Sequence, residues 1–551
     1  MRWKILSRSV ADNPDSVLRI LLANRGLKRA AQQQEFLAPR HPDKFVLKEV
    51  GLSPVQIKKA VVLVKKAIKN KEKIAVYGDY DPDGVCATAI IWEMLDRLGA
   101  DAVPFIPTRD EGYGLKVDRL NQLAEQKVKM VITADQGIVH HSQVKHARKI
   151  GLKVIVTDHH QPGKSIPRAD AVIHTVRLSG CGVAWFFARR LGAALKSKKP
   201  PLESLDLAAL GTITDMVPLT GANRSLVKFG LPILAKTSRV GLRALFQLAG
   251  INKTVLSTYE VGFVIGPRLN AVGRLSDPLD SLRLVCTRDK SRAALLAEKI
   301  NRHNTDRQKL MEQAFAVARQ NWLETDGESS LIFVHDRSFH LGIIGLVASK
   351  LVEEFYRPAV VVASRDDISK GSARSIDGFN IIEAIRNNAE FLSGHGGHPK
   401  AAGFVIKTAK IEIFKKRLTK HAETVIDPAS LTPSLKIDME LGLDQLTLPL
   451  LEIINRLQPF GEANREPVFA TKNLMLADAR LIGAENKHLK ITVRDQHGLS
   501  FSAIGFGMGR LFPDLTPNGN IDLAYNLIAD DWNGRRHLQL KLKDINIKQS
   551  T

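Results

Sequence analysis

The fold of this chain is decided by the sequence KIAVYG at residues 73–78, which is followed at once by DYDPDG at residues 79–84. A short apolar run that ends in polar residues is typical of a buried parallel strand. Similar runs at 128–133 and 152–157 are separated by segments with helical periodicity. The sequence therefore predicts an α/β domain built on a parallel sheet.

Acidic residues and histidines follow these predicted strands and one later apolar run. In chain order they are Asp79, Asp81, Asp83, Asp135, Asp158 with the adjacent His159 and His160, and Asp215. Because ligands of open parallel sheets bind at the carboxyl ends of the strands, we expect these side chains to converge. Any single aspartate there could instead cap a helix, but three carboxylates directly after one strand favour Mg²⁺ or Mn²⁺. Adjacent histidines point in different directions, so we expect one to be a ligand and the other to support the site or contact substrate.

Composition excludes several classes of protein. A length of 551 residues predicts about three or four domains. Cys86, Cys181 and Cys286 form no CxxC pair, which excludes a disulfide framework and a cysteine zinc site. Because no apolar run is long enough to cross a membrane and the first residues lack the features of a secretory signal, we expect a cytoplasmic protein with no membrane partner. The net charge of +23 favours a polyanionic partner without choosing between DNA and RNA.

Hydrophobic periodicity changes along the chain and predicts five segments. We expect an N-terminal segment at 1–70, the parallel-sheet domain at 71–220, a helical connector at 221–329, a smaller α/β domain at 330–430 and a β-barrel at 431–551. The smaller domain is indicated by strand-like runs on either side of a predicted helix, and the barrel by segments with alternating apolar residues.

The acidic motifs, by their order and spacing, resemble those of the DHH phosphoesterase superfamily, and within it the bacterial exonucleases that are specific for single-stranded DNA. The resemblance implies two divalent ions, Mn²⁺ or Mg²⁺. The implied metal ligands are Asp81, Asp83, Asp135, His159 and Asp215, with Asp79 as an additional candidate. The implied catalytic residues are Asp135 and His160.

The resemblance continues through the later segments, where 330–430 is similar to the DHHA1 substrate-binding domain and 431–551 to an oligonucleotide-binding (OB) barrel. The implied substrate-binding residues are Arg268, Asn270, Arg274, Ser372, Arg374, Gly396, Gly397 and His398. Glycines let a backbone approach a phosphate closely, and arginine offers forked donors to its oxygens. For any single arginine outside its motif, surface solubility or salt bridging is the simpler explanation.

Three features depart from the superfamily pattern. Tyr77 stands where many members have histidine, and a phenol with a pKa of ~10 is a poor ligand at neutral pH. Gln136 replaces a commoner small residue, and the stretch 175–182 is shorter than usual. The tyrosine predicts that one metal position is weaker or is filled by Asp79 or by water, and the other two changes predict an altered substrate entry.

Taken with its barrel, the resemblance implies a monomeric exonuclease that degrades single-stranded DNA from 5′ to 3′ and releases mononucleotides, in recombination and repair. A helicase and a single-strand-binding protein are candidate partners. The alternatives are a DHH enzyme for short RNA or cyclic dinucleotides, a pyrophosphatase of the same superfamily, and a non-catalytic scaffold that binds single strands. The barrel argues against the first two, and the retained carboxylates argue against the third.

Overall fold

The structure is a computed structural model that describes residues 1–108, 111–112, 114–197, 204–532 and 535–548. Its N-terminal segment contains β1 (Arg2–Ile5), α1 (Pro14–Asn24), α2 (Ala30–Leu37) and α3 (Pro54–Lys69). The apolar faces of α1 and α2 pack into the core of the C-terminal barrel, whereas α3 packs into the core of the first sheet. The N-terminal segment therefore joins two distant parts of the chain.

A five-stranded parallel sheet follows, as the sequence predicts. Its strands are β2 (Lys73–Tyr77), β3 (Ala102–Phe105), β4 (Val128–Thr133), β5 (Lys153–Asp158) and β6 (Ala171–His174), and its helices are α4 (Pro82–Arg97), α5 (Val117–Glu125), α6 (His141–Lys149), α7 (Gly180–Ala194) and α8 (Leu205–Thr214). The strand order is β3-β2-β4-β5-β6, with every pair parallel. Alternate residues of β2 face different cores: Ile74 and Val76 pack on one side, Ala75 and Tyr77 on the other. The next two strands in the chain, β3 and β4, lie on opposite sides of β2. An open parallel sheet has its ligand crevice where the strand order reverses in this way, so the crevice here is at the carboxyl ends of β2 and β4.

The connector is helical. It contains α9 (Gly221–Ala235), α10 (Val240–Leu248), a π-helical segment (Glu260–Ile265), α11 (Gly266–Leu275), α12 (Leu279–Cys286) and α13 (Lys290–Asp326). With 37 residues, α13 is about 55 Å long. Its first half packs into the core of the parallel sheet through Ala297 and Ile300, and its second half into the next domain through Phe315 and Trp322.

The second α/β unit has a mixed sheet. Its elements are β7 (Ile332–Asp336), α14 (Ile344–Phe355), β8 (Ala359–Ala363), β9 (Ile368–Arg374), α15 (Ile381–Arg386), β10 (Leu392–His398), β11 (Ala401–Lys407) and α16 (Ile411–Val425). The order is β10-β11-β9-β8-β7, in which β7 and β8 are parallel and the other pairs antiparallel. The hairpin of β10 and β11 forms the edge of this sheet.

The C-terminal unit is a barrel. Its elements are β12 (Ser434–Ile437), β13 (Met439–Glu440), α17 (Leu448–Arg456), β14 (Phe469–Ile482), β15 (His488–Arg494), β16 (Ser500–Gly505), β17 (Asn520–Trp532) and β18 (Arg535–Ile547). The sheet closes in the order β14-β15-β16-β18-β17 because β17 pairs again with β14. Outside the ring, β1 pairs in parallel with β12. The predicted parallel-sheet domain, smaller α/β domain and barrel are confirmed. No helix within the described ranges is long and apolar enough to span a membrane.

Arg224 of α9 joins three of these units. Its side chain is 1% exposed, and its Nε and Nη2 donate to the carbonyls of Phe36 at 2.8 Å and Gln458 at 2.8 Å. A third donor, Nη1, reaches the Pro459 carbonyl at 3.3 Å, and the guanidinium lies 3.9 Å from the Phe36 ring centroid. Burial lowers the pKa of Arg224 to about 10, so the residue stays charged at neutral pH. Arg224 thus binds carbonyls of the N-terminal segment and of residues 457–468, which connect α17 to β14 and are called the lead-in to the barrel below.

We expect Arg224→Ala to lower the free energy of unfolding by about 3 kcal/mol, because it removes three hydrogen bonds and the packing of the guanidinium against the Phe36 ring. Urea unfolding of the full chain measures this loss. Arg243→Ala, at an exposed position of α10, is the matched control and should change it by less than about 0.5 kcal/mol. Equal stabilities of the two variants would show that Arg224 does not hold the units together.

Candidate metal centre

The turn after β2 places two carboxylates at the start of α4. Asp81 is the N-cap of α4, and its side chain accepts from the Gly84 amide at 2.8 Å. Asp83 reaches across to the start of α7, where it accepts from the amides of Gly180 at 2.7 Å and Cys181 at 2.9 Å. Two helix N-termini therefore stabilise negative charge at this point.

The turn after β4 brings in Asp135. Its φ of +63° is in the left-handed region, which turns the chain sharply at the end of the strand. A Cβ at position 180 would lie 2.2 Å from Asp135 Oδ1, so the glycine there allows the carboxylate to reach the start of α7. Likewise, a Cβ at Gly211 of α8 would lie 2.5 Å from Asp83 Oδ1. Because Gly180 and Gly211 have no side chain, α7 can pack close to Asp135 and α8 close to Asp83.

The two histidines after β5 have different surroundings. Asp158 accepts from the amides of Ile138, His159 and His160, and its Oδ1 lies 2.8 Å from His160 Nδ1. Burial alone would raise the pKa of Asp158, but these hydrogen bonds lower it below its ordinary value. His159 turns the other way, with Nε2 at 3.1 Å from Asp135 Oδ1 and 3.5 Å from Asp215 Oδ2. Asp158 therefore orients His160, while His159 faces the acidic residues.

Three of these atoms are arranged as metal ligands would be. Asp135 Oδ1, His159 Nε2 and Asp215 Oδ2 are buried, and none forms a hydrogen bond with any residue that the structure describes. Buried polar atoms without partners are uncommon in folded proteins, and an unseen ion is one of their usual causes. Carboxylate oxygens and an imidazole nitrogen suit Mn²⁺ or Mg²⁺. The residues present therefore fit a divalent cation.

The predicted ligands lie together in overlapping groups whose ligand atoms are within 4.8 Å of one another. The groups are Asp79 with Asp81 and Asp135, Asp83 with His159 and Asp215, and Asp135 with His159 and His160. All six predicted metal residues are thus brought to one place, as is His160. The individual ligand assignments remain predictions.

The pKa values show how strongly the site needs a cation. Burial, together with Asp83 and Asp81, raises the pKa of Asp215 to about 9. Burial and the same neighbours raise the pKa of Asp135 well above its ordinary value. The cluster cannot hold all its negative charges without a positive ion or protons.

We expect Mn²⁺ affinity to rise with pH up to about pH 9. Between the ordinary pKa of 3.8 and the folded value of about 9, Asp215 of the metal-free protein holds a proton that a cation must displace. For the same reason, the free energy of unfolding of the metal-free protein should fall as pH rises through this window. Calorimetric titration in buffers of different ionisation enthalpy measures the released protons. An affinity that stays constant from pH 6 to 9 would contradict this assignment.

The departures at 77 and 136 have structural roles. Tyr77 is fully buried and packs against Phe105, with ring centroids 4.7 Å apart. Burial raises the pKa of Tyr77, so its phenol stays neutral. Gln136 Nε2 donates to the Gly78 carbonyl, which ties the turn after β4 to the end of β2. Neither role was apparent from the sequence.

A cleft of about 1170 Å³ opens beside the acidic residues, between the first domain, the connector and the second α/β unit. A Cβ at Gly273, on its wall, would lie 2.9 Å from the Tyr80 carbonyl, so the cleft begins next to the 79–84 turn. Among the predicted substrate residues, Arg274, Ser372 and Arg374 line it. Further basic residues that sequence reasoning missed also line it: Lys116, His340, Arg365, Lys370 and His395.

Other predicted substrate residues lie outside the lining of this cleft. Arg268 donates to Asn301 Oδ1 at 3.0 Å, and Asn270 Oδ1 is buried without a hydrogen bond to any described residue. Gly396, Gly397 and His398 are exposed at the end of β10. A Cβ at Gly397 would lie 2.4 Å from the Ala401 carbonyl, so the hairpin itself requires this glycine. Their roles in substrate binding remain predictions.

A parallel sheet with acidic residues at its strand ends, a mixed-sheet domain and a cleft between them define a metal-dependent phosphoesterase of the DHH class. Family models agree: the DHH family N-terminal domain matches residues 73–212, the DHHA1 domain 328–424 and the RecJ OB domain 437–544. A curated relative, the single-stranded-DNA-specific exonuclease RecJ of Bacillus subtilis, is 35% identical over the whole chain, which covers 71% of that relative. The chain belongs to the RecJ family.

Solved structures agree with this assignment. The crystal structure of RecJ from Thermus thermophilus in complex with Mn²⁺ matches with a TM-score of 0.85 at 31% identity, over 100% of this chain and 80% of that one. The structure of the same protein with Mg²⁺ matches with a TM-score of 0.79 at 30% identity, over 100% and 79%. Both metals that the acidic motifs suggest therefore occur in structures of relatives.

Proposed function

We propose that this chain is an exonuclease that degrades single-stranded DNA from 5′ to 3′ with two divalent ions, Mn²⁺ or Mg²⁺, and releases mononucleotides. The observation that carries the proposal is the convergence of Asp135 Oδ1, His159 Nε2 and Asp215 Oδ2 as buried atoms without hydrogen bonds. A basic cleft beside them supports a phosphodiester as the substrate. The relatives' activity supports DNA over RNA and over a cyclic dinucleotide.

The predicted ligands are Asp79, Asp81, Asp83, Asp135, His159 and Asp215. When bound, the ions would lower the pKa of a water molecule and neutralise charge on the phosphate. Asp83 would be held in place by the α7 amides, and Asp135 by its strained turn. Asp158 would keep the His160 ring oriented and its Nδ1 protonated, so that His160 can contribute a proton transfer beside the phosphate. In the cleft, Arg274 and Arg374 would position the strand.

Digestion of end-labelled single- and double-stranded DNA and RNA, with Mn²⁺, Mg²⁺ or EDTA, tests this proposal. We expect single-stranded DNA to be shortened from its 5′ end with either metal, and EDTA to stop the reaction. Digestion from the 3′ end would contradict the polarity. Turnover of dinucleotides without turnover of long strands would instead support the short-substrate enzyme, and phosphate release from pyrophosphate the pyrophosphatase.

We also infer that the enzyme works as a monomer in the cytoplasm, in recombination and repair, on strands exposed by a helicase and coated by a single-strand-binding protein. The barrel at its C-terminus supports a long-strand substrate. Sedimentation of the purified chain measures the oligomeric state. Stimulation of digestion by a helicase on blunt duplex DNA tests that partnership, and no stimulation would count against it.

A further inference from the structure

Two aromatic rings of the connector are exposed side by side. Tyr259 is 59% exposed and Phe263 is 72% exposed. Their ring centroids are 5.2 Å apart, and the ring planes differ by 25°, which is a stacked arrangement. Single exposed apolar residues are normal, but large rings are mostly buried in folded proteins. In a chain with only 6% aromatic residues, an exposed stacked pair therefore needs an explanation.

The local fold holds both rings outward. Tyr259 directly precedes the π-helical segment, and Phe263 lies within it. The two residues are four positions apart, so they share one face of the helix. Val261 and Ile265 of the same segment are fully buried and fix the opposite face. The Glu260 carboxylate accepts from the Ser257 amide at 2.9 Å and pairs with Lys253, which anchors the start of the helix. The rings are thus held on a rigid support.

The helix that carries the pair connects the surroundings of the metal centre with those of the barrel. A Cβ at Gly262 would lie 3.8 Å from Ile213, and one at Gly266 would lie 2.6 Å from Thr214, so this helix packs against the last turn of α8. That turn ends at Asp215, one of the predicted metal ligands. On the other side, the Thr258 hydroxyl donates to the Phe460 carbonyl at 2.7 Å, in the lead-in to the barrel.

We propose that Tyr259 and Phe263 form a base-stacking platform for single-stranded DNA on its way between the barrel and the metal centre. This inference rests on the proposed function and adds to it a description of how the bases of the strand are held. Aromatic faces take any base, which suits an enzyme that must accept every sequence. Bases in a duplex are already stacked on each other, so such a platform selects for single strands.

Anisotropy of a fluorescent strand tests this platform without hydrolysis, in the full chain carrying Asp135→Asn. Two strands of equal length are compared, one with all its bases and one with a run of abasic sites. We expect the complete strand to bind roughly tenfold more tightly, since stacking contributes about 1–3 kcal/mol per base. Adding Tyr259→Ala and Phe263→Ala should remove most of that preference. Tyr259→Ala with Phe263→Trp should restore part of it.

Val62→Ala, on the outer face of α3, is the control, because Val62 is 58% exposed and far from the proposed path in sequence. A double variant that keeps the parent's preference, or a parent that binds both strands equally, would overturn the platform. A change in sedimentation of the double variant would assign the rings to a protein interface instead. Digestion of DNA by the unsubstituted chain tests the proposed function separately. If that chain digests DNA normally but the binding experiment shows no preference for the strand with bases, only the platform is refuted.

Discussion

Asp135→Asn should lower kcat/KM for single-stranded DNA by about a thousandfold. The substitution keeps the shape of the side chain, and asparagine tolerates the left-handed φ of +63° at this position. It replaces the carboxyl group, whose Oδ1 lies 3.1 Å from His159 Nε2, by an amide that cannot become negatively charged, and Asp135 belongs to two of the three candidate ligand groups. Loss of metal-dependent charge stabilisation worth several kcal/mol accounts for the expected decrease.

A second measurement on the same variant separates a lost ligand from a damaged fold. In EDTA, Asp135→Asn should melt at a higher temperature than the parent, because the parent buries Asp135 among Asp83, Asp81 and Asp215. With Mn²⁺ added, the parent should gain more stability than the variant. Asp118→Asn, at an exposed position of α5, is the matched control and should behave as the parent does. A variant that is less stable in EDTA and gains as much from Mn²⁺ would argue that Asp135 is structural.

The convergence of the acidic residues could be predicted from sequence because it follows from a rule of parallel sheets. Each carboxylate comes after an apolar run, and strand ends in one sheet meet at one edge. What holds the carboxylates could not be predicted, because the partners are far apart in the chain. Asp83 depends on amides 97 and 98 residues away, and no local pattern marks Gly180 or Gly211 as the glycines that let the helices close.

The cleft was harder to predict than the metal centre for the same reason. Arg274 and Arg374 are 100 residues apart, and their proximity depends on how α13 places one domain against the other. Family motifs pointed to them, but His340, Lys370 and His395 beside those motifs were missed, since adjacency in sequence does not say which side chain faces the cleft. The exposed rings of Tyr259 and Phe263 gave no sequence signal, because apolar residues at helical spacing usually mark a buried face.

Arg374→Ala should raise KM for single-stranded DNA between tenfold and a hundredfold. Burial lowers the pKa of Arg374, and no carboxylate within the described ranges pairs with it. Its Nη1 donates to Ser372 Oγ at 3.1 Å and to the Ala373 carbonyl at 2.8 Å. On the other side, a Cβ at Gly345 would lie 2.9 Å from Nη2, so this nitrogen faces the first turn of α14. A half-buried cation with neutral partners beside a helix N-terminus is arranged for an anion, and a charge-assisted bond to phosphate is worth about 1.5–3 kcal/mol.

The salt dependence of KM shows whether that anion is a strand phosphate. If Arg374 contacts a phosphate, the variant should release about one counterion fewer on binding, and its plot of log KM against log salt concentration should have a correspondingly shallower slope. Arg374→Lys should restore charge but not the forked geometry, and therefore only part of the affinity. Arg337→Ala removes an arginine that is 77% exposed and paired with Asp366 in the same domain, and it should leave both KM and the slope unchanged. Because a merely structural Arg374 would lower thermal stability without changing the slope, an unchanged slope in Arg374→Ala would remove this residue from the substrate path.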